Sequence, residues 1–266
     1  MADLNHIYVV PAYGHSPHLA DCLASLAAQS TRSRIVVSTS TPFEGMEAMV
    51  QGYGASLFVH GPNRGIGVDW NAALCQGEGR LVTLAHQDDL YHPDHTAEVS
   101  AAFAKHPDAI LAFSAYQEVM NGAPRPANLL MWVKRIQIEL GFLGTGHVAS
   151  AFSKKRLLMF GNPIACPAVT LDFRKVPDFR FNTEMRTNMD WEGWLSLARR
   201  PGGFVHVRKA LVSHRIHPGS ETTACIADGY RAREDYAMFR AMWPAWAASL
   251  LAKMYSVSYA SNREPS

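Results

Sequence analysis

Two adjacent aspartates, Asp88 and Asp89, carry the clearest chemical signal in the chain, because they directly follow the apolar segment 81–85. Carboxylates that lie side by side at the end of a buried strand repel each other unless solvent or a cation compensates their charge. A divalent cation that also binds substrate phosphates is one physical solution. A surface turn in which Asp89 caps the following helix is the alternative interpretation.

A second group of chemically capable residues lies in the last third of the sequence. Asp190 and Glu192 lie in the first turn of a predicted helix, where an acidic side chain interacts favourably with the helix macrodipole. In the segment 214–217 an extended backbone would place Arg215 and His217 on one face and His214 on the other. A guanidinium and an imidazole on one face suit a diphosphate and its metal.

The elements that must position these residues alternate between short apolar runs and helix-length segments. The pattern predicts strands at 6–10, 34–38, 56–60, 81–85 and 109–114, and helices at 17–29, 42–53, 67–75 and 93–105. Ser16 is expected to cap the first helix, with Pro17 at its first position. Such alternation indicates an α/β fold with a mostly parallel sheet and helices on both faces, which binds ligands at the carboxyl ends of its strands.

The second half of the chain is less regular. It predicts helices at 124–140, 190–200 and 227–243 and two short strands within 205–217. The loop 161–167 is expected to shape a pocket, with Cys166 packed rather than reactive. The polar stretch 219–223 has the composition of a flexible lid. His92 and His95 are interpreted as a solvated helix start, not a zinc site.

Composition narrows the class of protein further. The chain has 266 residues, of which 48% are hydrophobic and 18% charged, and a net charge of +2, which gives no reason to expect nucleic acid as a partner. The four cysteines are far apart in the sequence, which favours reduced core thiols. Neither a signal peptide nor an apolar run of membrane-spanning length is evident, so a cytoplasmic location is expected.

Three segments in order carry a family resemblance: HIYVVPAYGHSPHLADCLASLAAQS, GIGVDWNAALCQGEGRLVTLAHQDDLYHPD and NMDWEGWLSLARRPGGFVHVRKALVSHRIH. Together they resemble the inverting glycosyltransferases of family 2, which have the GT-A fold. The resemblance runs over residues 6–223. It implies a GT-A domain over residues 1–225, Rossmann-like with a mostly parallel central sheet, and a C-terminal helical extension over 226–266.

The resemblance also assigns roles to individual positions. The metal-binding DxD-type motif falls on residues 86–88, so that Asp88 becomes the principal ligand of Mn²⁺ or Mg²⁺, with Asp89 and His217 as further ligands. His86 replaces the first carboxylate of that motif. Asp190 corresponds to the catalytic base, which takes the proton of the acceptor hydroxyl. Glu192 competes for this role, and a charge that only interacts with the helix macrodipole is the alternative for Asp190. The residues expected to bind the nucleotide sugar are Pro11, Ala12, Tyr13, Thr39, Asp69, His86, Asp88 and Arg215.

The function implied is a one-step, inverting transfer from a nucleotide-diphosphate sugar, most simply a UDP-sugar, to a glycan or lipid-linked glycan in bacterial surface polysaccharide or lipopolysaccharide synthesis. A non-catalytic nucleotide-sugar-binding protein and a nucleotidyltransferase are the alternatives, although the loop after the first strand lacks the basic, glycine-rich signature of the latter. A dinucleotide-dependent oxidoreductase would need GxGxxG after that strand, and the sequence there does not contain it. Peripheral membrane contact competes with core packing as the role of Trp132, Lys134, Arg135, Trp243, Trp246 and Lys253.

Overall fold

The computed structural model describes residues 5–120, 122–126, 129–217 and 230–256. Within them the strands are β1 (His6–Ala12), β2 (Arg34–Thr39), β3 (Ser56–Val59), β4 (Leu81–Leu84), β5 (Leu90–Tyr91), β6 (Ala109–Met120), β7 (Ala123–Pro124), β8 (His147–Val148), β9 (Val169–Asp172) and β10 (Gly203–Ile216). The α-helices are α1 (Leu19–Ala27), α2 (Met46–Gly52), α3 (Ile66–Leu74), α4 (His95–Lys105), α5 (Leu129–Phe142), α6 (Ala151–Leu158), α7 (Met189–Ala198), α8 (Tyr230–Arg240) and α9 (Ala245–Ser256).

One ten-stranded sheet organises the molecule. Its main path runs β3-β2-β1-β4-β9-β6-β10-β5, with β7 paired to β6 and β8 to β10. The pairs β2–β3, β1–β2, β1–β4 and β6–β10 are parallel, whereas β9 lies antiparallel between β4 and β6. The predicted α/β class with a mostly parallel central sheet is confirmed. The strand β9 has no counterpart among the predicted elements.

Helices cover both faces of this sheet, as the alternation of side chains along β1 shows. Ile7 and Val9 belong to one apolar cluster, together with Trp191 of α7, whereas Tyr8 and Val10 belong to another that includes α1. Successive residues of a strand point to opposite faces, so a fully buried strand needs apolar side chains on both. The run HIYVV meets that requirement.

Several element boundaries differ from those predicted. The helix predicted at 17–29 begins at Leu19, and Ser16 does not cap it; the Ser16 hydroxyl instead accepts a hydrogen bond from the His18 N–H. Two short strands were predicted within 205–217, but the structure has a single long strand there, β10. Its register against β6 shifts at several points, which explains why the sequence pattern appears interrupted. The helix predicted from residue 124 begins at Leu129, because Pro124 pairs in β7.

The described C-terminal residues, 230–256, contain two helices where a single one was predicted. The rings of Phe239 of α8 and Tyr255 of α9 both contact the ring of the fully buried Trp191 of α7, the first edge-on and the second tilted. The Glu234 carboxylate of α8 accepts hydrogen bonds from the backbone N–H groups of residues 186, 187 and 188. The helices α8 and α9 therefore share a core with α7. The boundary at 225/226 lies outside the described residues and stays a prediction.

His95 corrects the interpretation of the start of α4. Its ring is fully buried and its Nδ1 lies 2.8 Å from the Tyr8 hydroxyl, so this helix start is not solvated there. Burial lowers the pKa of His95 to about 3, which keeps the ring neutral. None of the helices in the described part of the chain combines the length and hydropathy that a bilayer crossing requires.

Candidate active site

A large cavity opens where the strands end, which is where a parallel sheet of this kind binds its ligands. Its volume is about 970 Å³. The end of β1 contributes residues 11–13, the turn after β4 contributes 86–88, and the end of β10 contributes 214–217. The helices α3, α5, α7, α8 and α9 and the loop 161–167 close the remaining walls.

Three potential metal ligands meet at the end of β4. His86, Asp88 and Asp89 each offer one ligand atom, and these atoms lie within 4.8 Å of one another. The His86 Nε2 is buried without a hydrogen-bond partner, as is expected of an atom that coordinates a metal ion. Burial lowers the pKa of His86 despite the neighbouring aspartates, so the ring is neutral and able to coordinate. The residues present therefore fit a divalent metal.

Asp88 and His86 are the members of this group that line the cavity. The Asp88 Oδ2 lies 2.9 Å from the Nε2 of His217, at the end of β10. Burial alone would raise the pKa of Asp88, but the His86 and His214 rings and the hydrogen bond to His217 together lower it. Asp88 is therefore ionised, and His217 lies beside it as predicted.

Asp89 is fully buried and its carboxylate is already engaged. Its Oδ1 accepts a hydrogen bond from the Arg215 N–H at 2.8 Å and lies 3.0 Å from the His214 Nδ1. Burial opposes charge on His214, but attraction to Asp89 prevails and raises the pKa of His214 to about 9. Asp89 thus joins the turn after β4 to β10, and it does not appear among the residues that line the cavity.

Arg215 and His217 share a face of β10, as the sequence predicted. The Arg215 guanidinium donates to the His18 Nδ1, and the His18 and His217 rings lie 5.1 Å apart. His214 points to the other side, toward Asp89. All four residues of this strand end line the cavity, so a guanidinium and an imidazole face the same space as Asp88.

Asp190 lies on another wall of the same cavity, in the first turn of α7. Its Oδ2 accepts a hydrogen bond from the Asn162 side-chain amide at 2.7 Å, and its Oδ1 accepts one from the Trp191 N–H. Burial raises the pKa of Asp190 to about 6, although the Trp191 N–H and the charges of Arg231 and Lys134 oppose the shift. A carboxylate with this pKa is largely ionised near neutral pH yet accepts a proton readily.

The competing carboxylate, Glu192, does not line the cavity. Cys166 also lines the cavity: burial raises the pKa of its thiol, and the charges of Asp190 and Asp89 raise it further. The thiol is therefore protonated, in agreement with a packed and unreactive cysteine.

Asp69 of α3 lines the opposite end of the cavity and is nearly fully buried. Its Oδ2 accepts a hydrogen bond from the Ser40 hydroxyl at 2.9 Å. Its Oδ1 has no hydrogen-bond partner, and the nearest base, the His60 Nε2, is 3.9 Å away and likewise lacks one. Thr39, by contrast, is fully buried outside the cavity lining, and its hydroxyl accepts a hydrogen bond from the Thr41 N–H.

The structure adds contacts within the site that the sequence did not indicate. Trp70 lies beside the His86 ring, with centroids 5.0 Å apart, and Asn162 holds Asp190. Lys134, Arg231 and Tyr255 line the wall near Asp190. Burial would lower the pKa of Lys134, but the Tyr116 and Tyr255 hydroxyls raise it, so its ammonium stays charged. Asn162 belongs to the loop 161–167, which was expected to shape a pocket. No local pattern indicated that Lys134, Arg231 and Tyr255 line the cavity.

Of the predicted site residues, Pro11, Ala12, Tyr13, Asp69, His86, Asp88, Asp190, Arg215 and His217 line one cavity, whereas Thr39 and Asp89 do not. The Tyr13 ring is exposed, and the Tyr13 N–H donates to the Gln87 side chain, which ties the end of β1 to the turn after β4. The predicted lid at 219–223 lies outside the described residues. The individual binding roles stay predictions.

Comparison with known proteins places this arrangement in a family. Residues 8–174 match the family described as glycosyl transferase family 2, which is more than half of the chain. No curated protein matches the sequence. Solved structures do match: TarS 1-349 of S. aureus in complex with UDP-GlcNAc has a TM-score of 0.64 at 16% identity, over 93% of this chain and 70% of that one.

A second similar structure is the mannosyltransferase PcManGT from Pyrobaculum calidifontis in complex with GDP-Man and Mn²⁺. Its TM-score is 0.64 at 14% identity, and the match covers 95% of this chain and 69% of that one. A longer TarS structure is covered over only 42% of its length. These likenesses establish the fold, and the sequence match establishes the family. The chain therefore belongs to glycosyl transferase family 2: it is a glycosyltransferase with a GT-A fold.

Proposed function

We propose that this protein transfers a sugar from a UDP-sugar to a hydroxyl group of a glycan or lipid-linked glycan, with inversion at the anomeric carbon and with the help of Mn²⁺ or Mg²⁺. The observation that carries the proposal is that Asp88, in the turn after β4, and Asp190, at the start of α7, line the same cavity. One wall holds groups suited to a metal and a diphosphate. The other holds a carboxylate suited to general base catalysis.

His86 and Asp88 are the residues that would hold the metal, supported by His217. A bound divalent cation supplies positive charge that stabilises the departing diphosphate. Mn²⁺ fits this mixed set of imidazoles and a carboxylate better than Mg²⁺, which prefers oxygen ligands alone. Arg215, on the same face as His217, adds a positive charge near the same position.

Asp190 performs the proton transfer in this proposal. The acceptor hydroxyl lies against the carboxylate, which removes its proton as the acceptor oxygen forms a bond to the anomeric carbon. The bond from that carbon to the diphosphate oxygen breaks on the opposite side, which inverts the configuration. Asn162 keeps the carboxylate oriented, since its amide donates to the Asp190 Oδ2 over 2.7 Å.

Asp69 supports uracil as the donor base. Family members commonly carry a base-binding carboxylate after β2, where this chain has Thr39 and Ser40. Here Ser40 donates to one oxygen of Asp69, while the other oxygen is buried 3.9 Å from the His60 Nε2 and has no hydrogen-bond partner, so in this proposal it accepts from a single N–H group. Uracil presents one N–H on its edge, whereas guanine presents two neighbouring N–H groups that favour a carboxylate with both oxygens free. The similar structures contain UDP-GlcNAc in one case and GDP-Man in another, so the base is a distinguishing feature.

Thermal unfolding with nucleotides tests the proposal at the level of binding. UDP with Mn²⁺ should raise the Tm of the wild-type protein, and GDP with Mn²⁺ should raise it much less. The variant Asp88→Asn should lose most of the metal-dependent part of the shift, whereas Asp178→Asn, a change at an exposed aspartate outside the cavity, should retain it. Equal shifts with UDP and GDP would remove the argument for uracil.

A further inference from the structure

Exposed apolar side chains are concentrated on one part of the molecule. Of the fifteen large apolar side chains exposed among the described residues, ten belong to the segments 132–160 and 246–254. They are Trp132, Val133, Ile136, Leu140, Leu143, Phe152, Phe160, Trp246, Leu250 and Met254. We refer to the surface formed by these ten residues as the α5–α9 face. Core packing does not account for them.

The helix α5 is apolar on two sides. Met131, Ile138 and Phe142 point into the protein and are buried. Val133, Ile136 and Leu140 follow at spacings of three and four residues, so they form a stripe on the solvent side, and the exposed Leu143 comes directly after the helix. A helix that needs only one apolar face for its own core has no use for a second such stripe unless something else covers it.

The helix α9 repeats this arrangement. Ala248 is buried, whereas Trp246, Leu250 and Met254 are more than half exposed at spacings of four residues. Both helices reach the same segment after α6: the Gln137 amide donates to the Gly161 carbonyl at 2.9 Å, and the Tyr255 ring packs directly over Gly161. The two helices therefore approach each other at this segment, and the α5–α9 face comprises the exposed stripes of both.

The charges around this face have one sign. Residues 129–160 and 245–256 contain six basic residues and a single acidic one, Glu139, which is paired with Arg208. Two of the basic residues, Lys134 and Lys154, point into the protein. The others, Arg135, Lys155, Arg156 and Lys253, lie among the exposed apolar side chains, and Arg135 stacks over the Trp132 ring.

We infer that the α5–α9 face docks on the surface of an anionic lipid bilayer. Apolar stripes with tryptophans and interspersed Lys and Arg are the features that place a helix in the plane of a membrane interface, where anionic lipids supply the complementary charge. A second copy of the chain fits the face poorly, because a symmetric contact would bring the same positive charges against each other.

This orientation has a consequence for the acceptor. Lys134 of α5 and Tyr255 of α9 line the cavity near Asp190, so the docked elements also form the wall at which the proposed acceptor binds. Bilayer docking would bring this wall next to a lipid-linked acceptor. The identity of the acceptor rests on the proposed function, whereas the docking itself does not.

Vesicle co-sedimentation tests the inference without nucleotide or metal. The full chain is mixed with vesicles of phosphatidylcholine alone or with about one quarter phosphatidylglycerol. The wild type should bind the anionic vesicles at least about tenfold more strongly than the neutral ones, and high salt should reduce that difference. The double variant Ile136→Gln/Leu140→Gln should lose at least about tenfold in binding. Both side chains are exposed, so the fold should be retained, as near-UV circular dichroism would verify.

The matched control is Val59→Gln, which changes an equally exposed apolar side chain on β3, at the far edge of the sheet. It should bind the anionic vesicles like the wild type. Equal wild-type binding to both kinds of vesicle would overturn the inference, as would a dimer in sedimentation equilibrium that the double variant abolishes. The stabilisation by UDP and Mn²⁺, measured separately on both variants, shows whether the donor site is intact, so a failure of docking is distinguishable from a failure of the proposed transfer.

Discussion

The hydrogen bond between Asn162 and Asp190 provides a quantitative test of the base assignment. The Asn162 amide donates to the Asp190 Oδ2 over 2.7 Å and stabilises the ionised form of the carboxylate. Hydrogen bonds to charged groups contribute roughly 1.5–3 kcal/mol, and one pKa unit corresponds to about 1.36 kcal/mol. Water in the cavity would replace part of the lost bond, so Asn162→Ala should raise the pKa of Asp190 from about 6 to about 7.

The assay is kcat/KM for sugar transfer as a function of pH at saturating metal. The rate should fall on the acid side as Asp190 is protonated, with an apparent pKa of about 6 in the wild type. With a shift of one unit, the ionised fraction at pH 6.5 falls from about three quarters to about one quarter, so activity there drops about threefold while the alkaline plateau changes less. Asn162→Asp places a like charge beside the base and should move the acid limb at least as far.

The control is Asn182→Ala, which removes an asparagine side chain outside the cavity lining. Its acid limb should coincide with that of the wild type. An acid limb that stays in place in both Asn162 variants would refute the reasoning, because Asp190 would then not be the group whose ionisation limits the rate.

Three further predictions concern the two ends of the cavity. The pKa of Asp190 in the folded protein, about 6, lies above its ordinary value of 3.8, so ionisation of Asp190 destabilises the fold as the pH rises between these values. Asp190→Asn should therefore lose transfer activity but unfold at higher denaturant at pH 8, with a gain of up to about 3 kcal/mol in the free energy of unfolding. At pH 3.5 the variant should show no gain. His217→Ala should weaken Mn²⁺ binding about 10- to 100-fold in calorimetric titration with UDP present, and an unchanged affinity would place the metal elsewhere. Asp69→Leu should weaken UDP binding at least about tenfold and bring it close to that of GDP in a competition assay, and retained preference for UDP would contradict the role of the free carboxylate oxygen.

The parts of the fold that the sequence predicted are those governed by local pattern. The strands β1 and β2 each contain a run of apolar residues between polar turns. A strand that is buried on both faces needs no more than such a run, so the local pattern was enough to predict it. Strand β9 was missed because its four residues include Thr170 and Asp172, which a local pattern does not favour. These polar groups are tolerated because Thr170 bonds to Thr83 across the sheet and Asp172 pairs with Arg174.

The residues of the candidate site also fall into those that a local pattern indicates and those that it does not. Asp88 follows a strand and Asp190 opens a helix, and the family resemblance assigns chemistry to both positions. Asn162 and Tyr255 reach the site only through tertiary packing, since one belongs to a loop after α6 and the other to the last helix. His95 shows the same limit, because nothing local reveals that Tyr8 of a distant strand buries its ring.

The central claim is that Asp88 and Asp190 divide donor binding and proton transfer between two walls of one cavity. Its most direct test is the rate of UDP release from UDP-sugars in the presence of Mn²⁺ and acceptor, measured for the wild type and for Asp190→Asn, with UDP affinity measured on both. We expect the variant to release UDP at least about a thousandfold more slowly while binding UDP as tightly as the wild type. Equal release rates, with UDP bound equally well, would contradict the account.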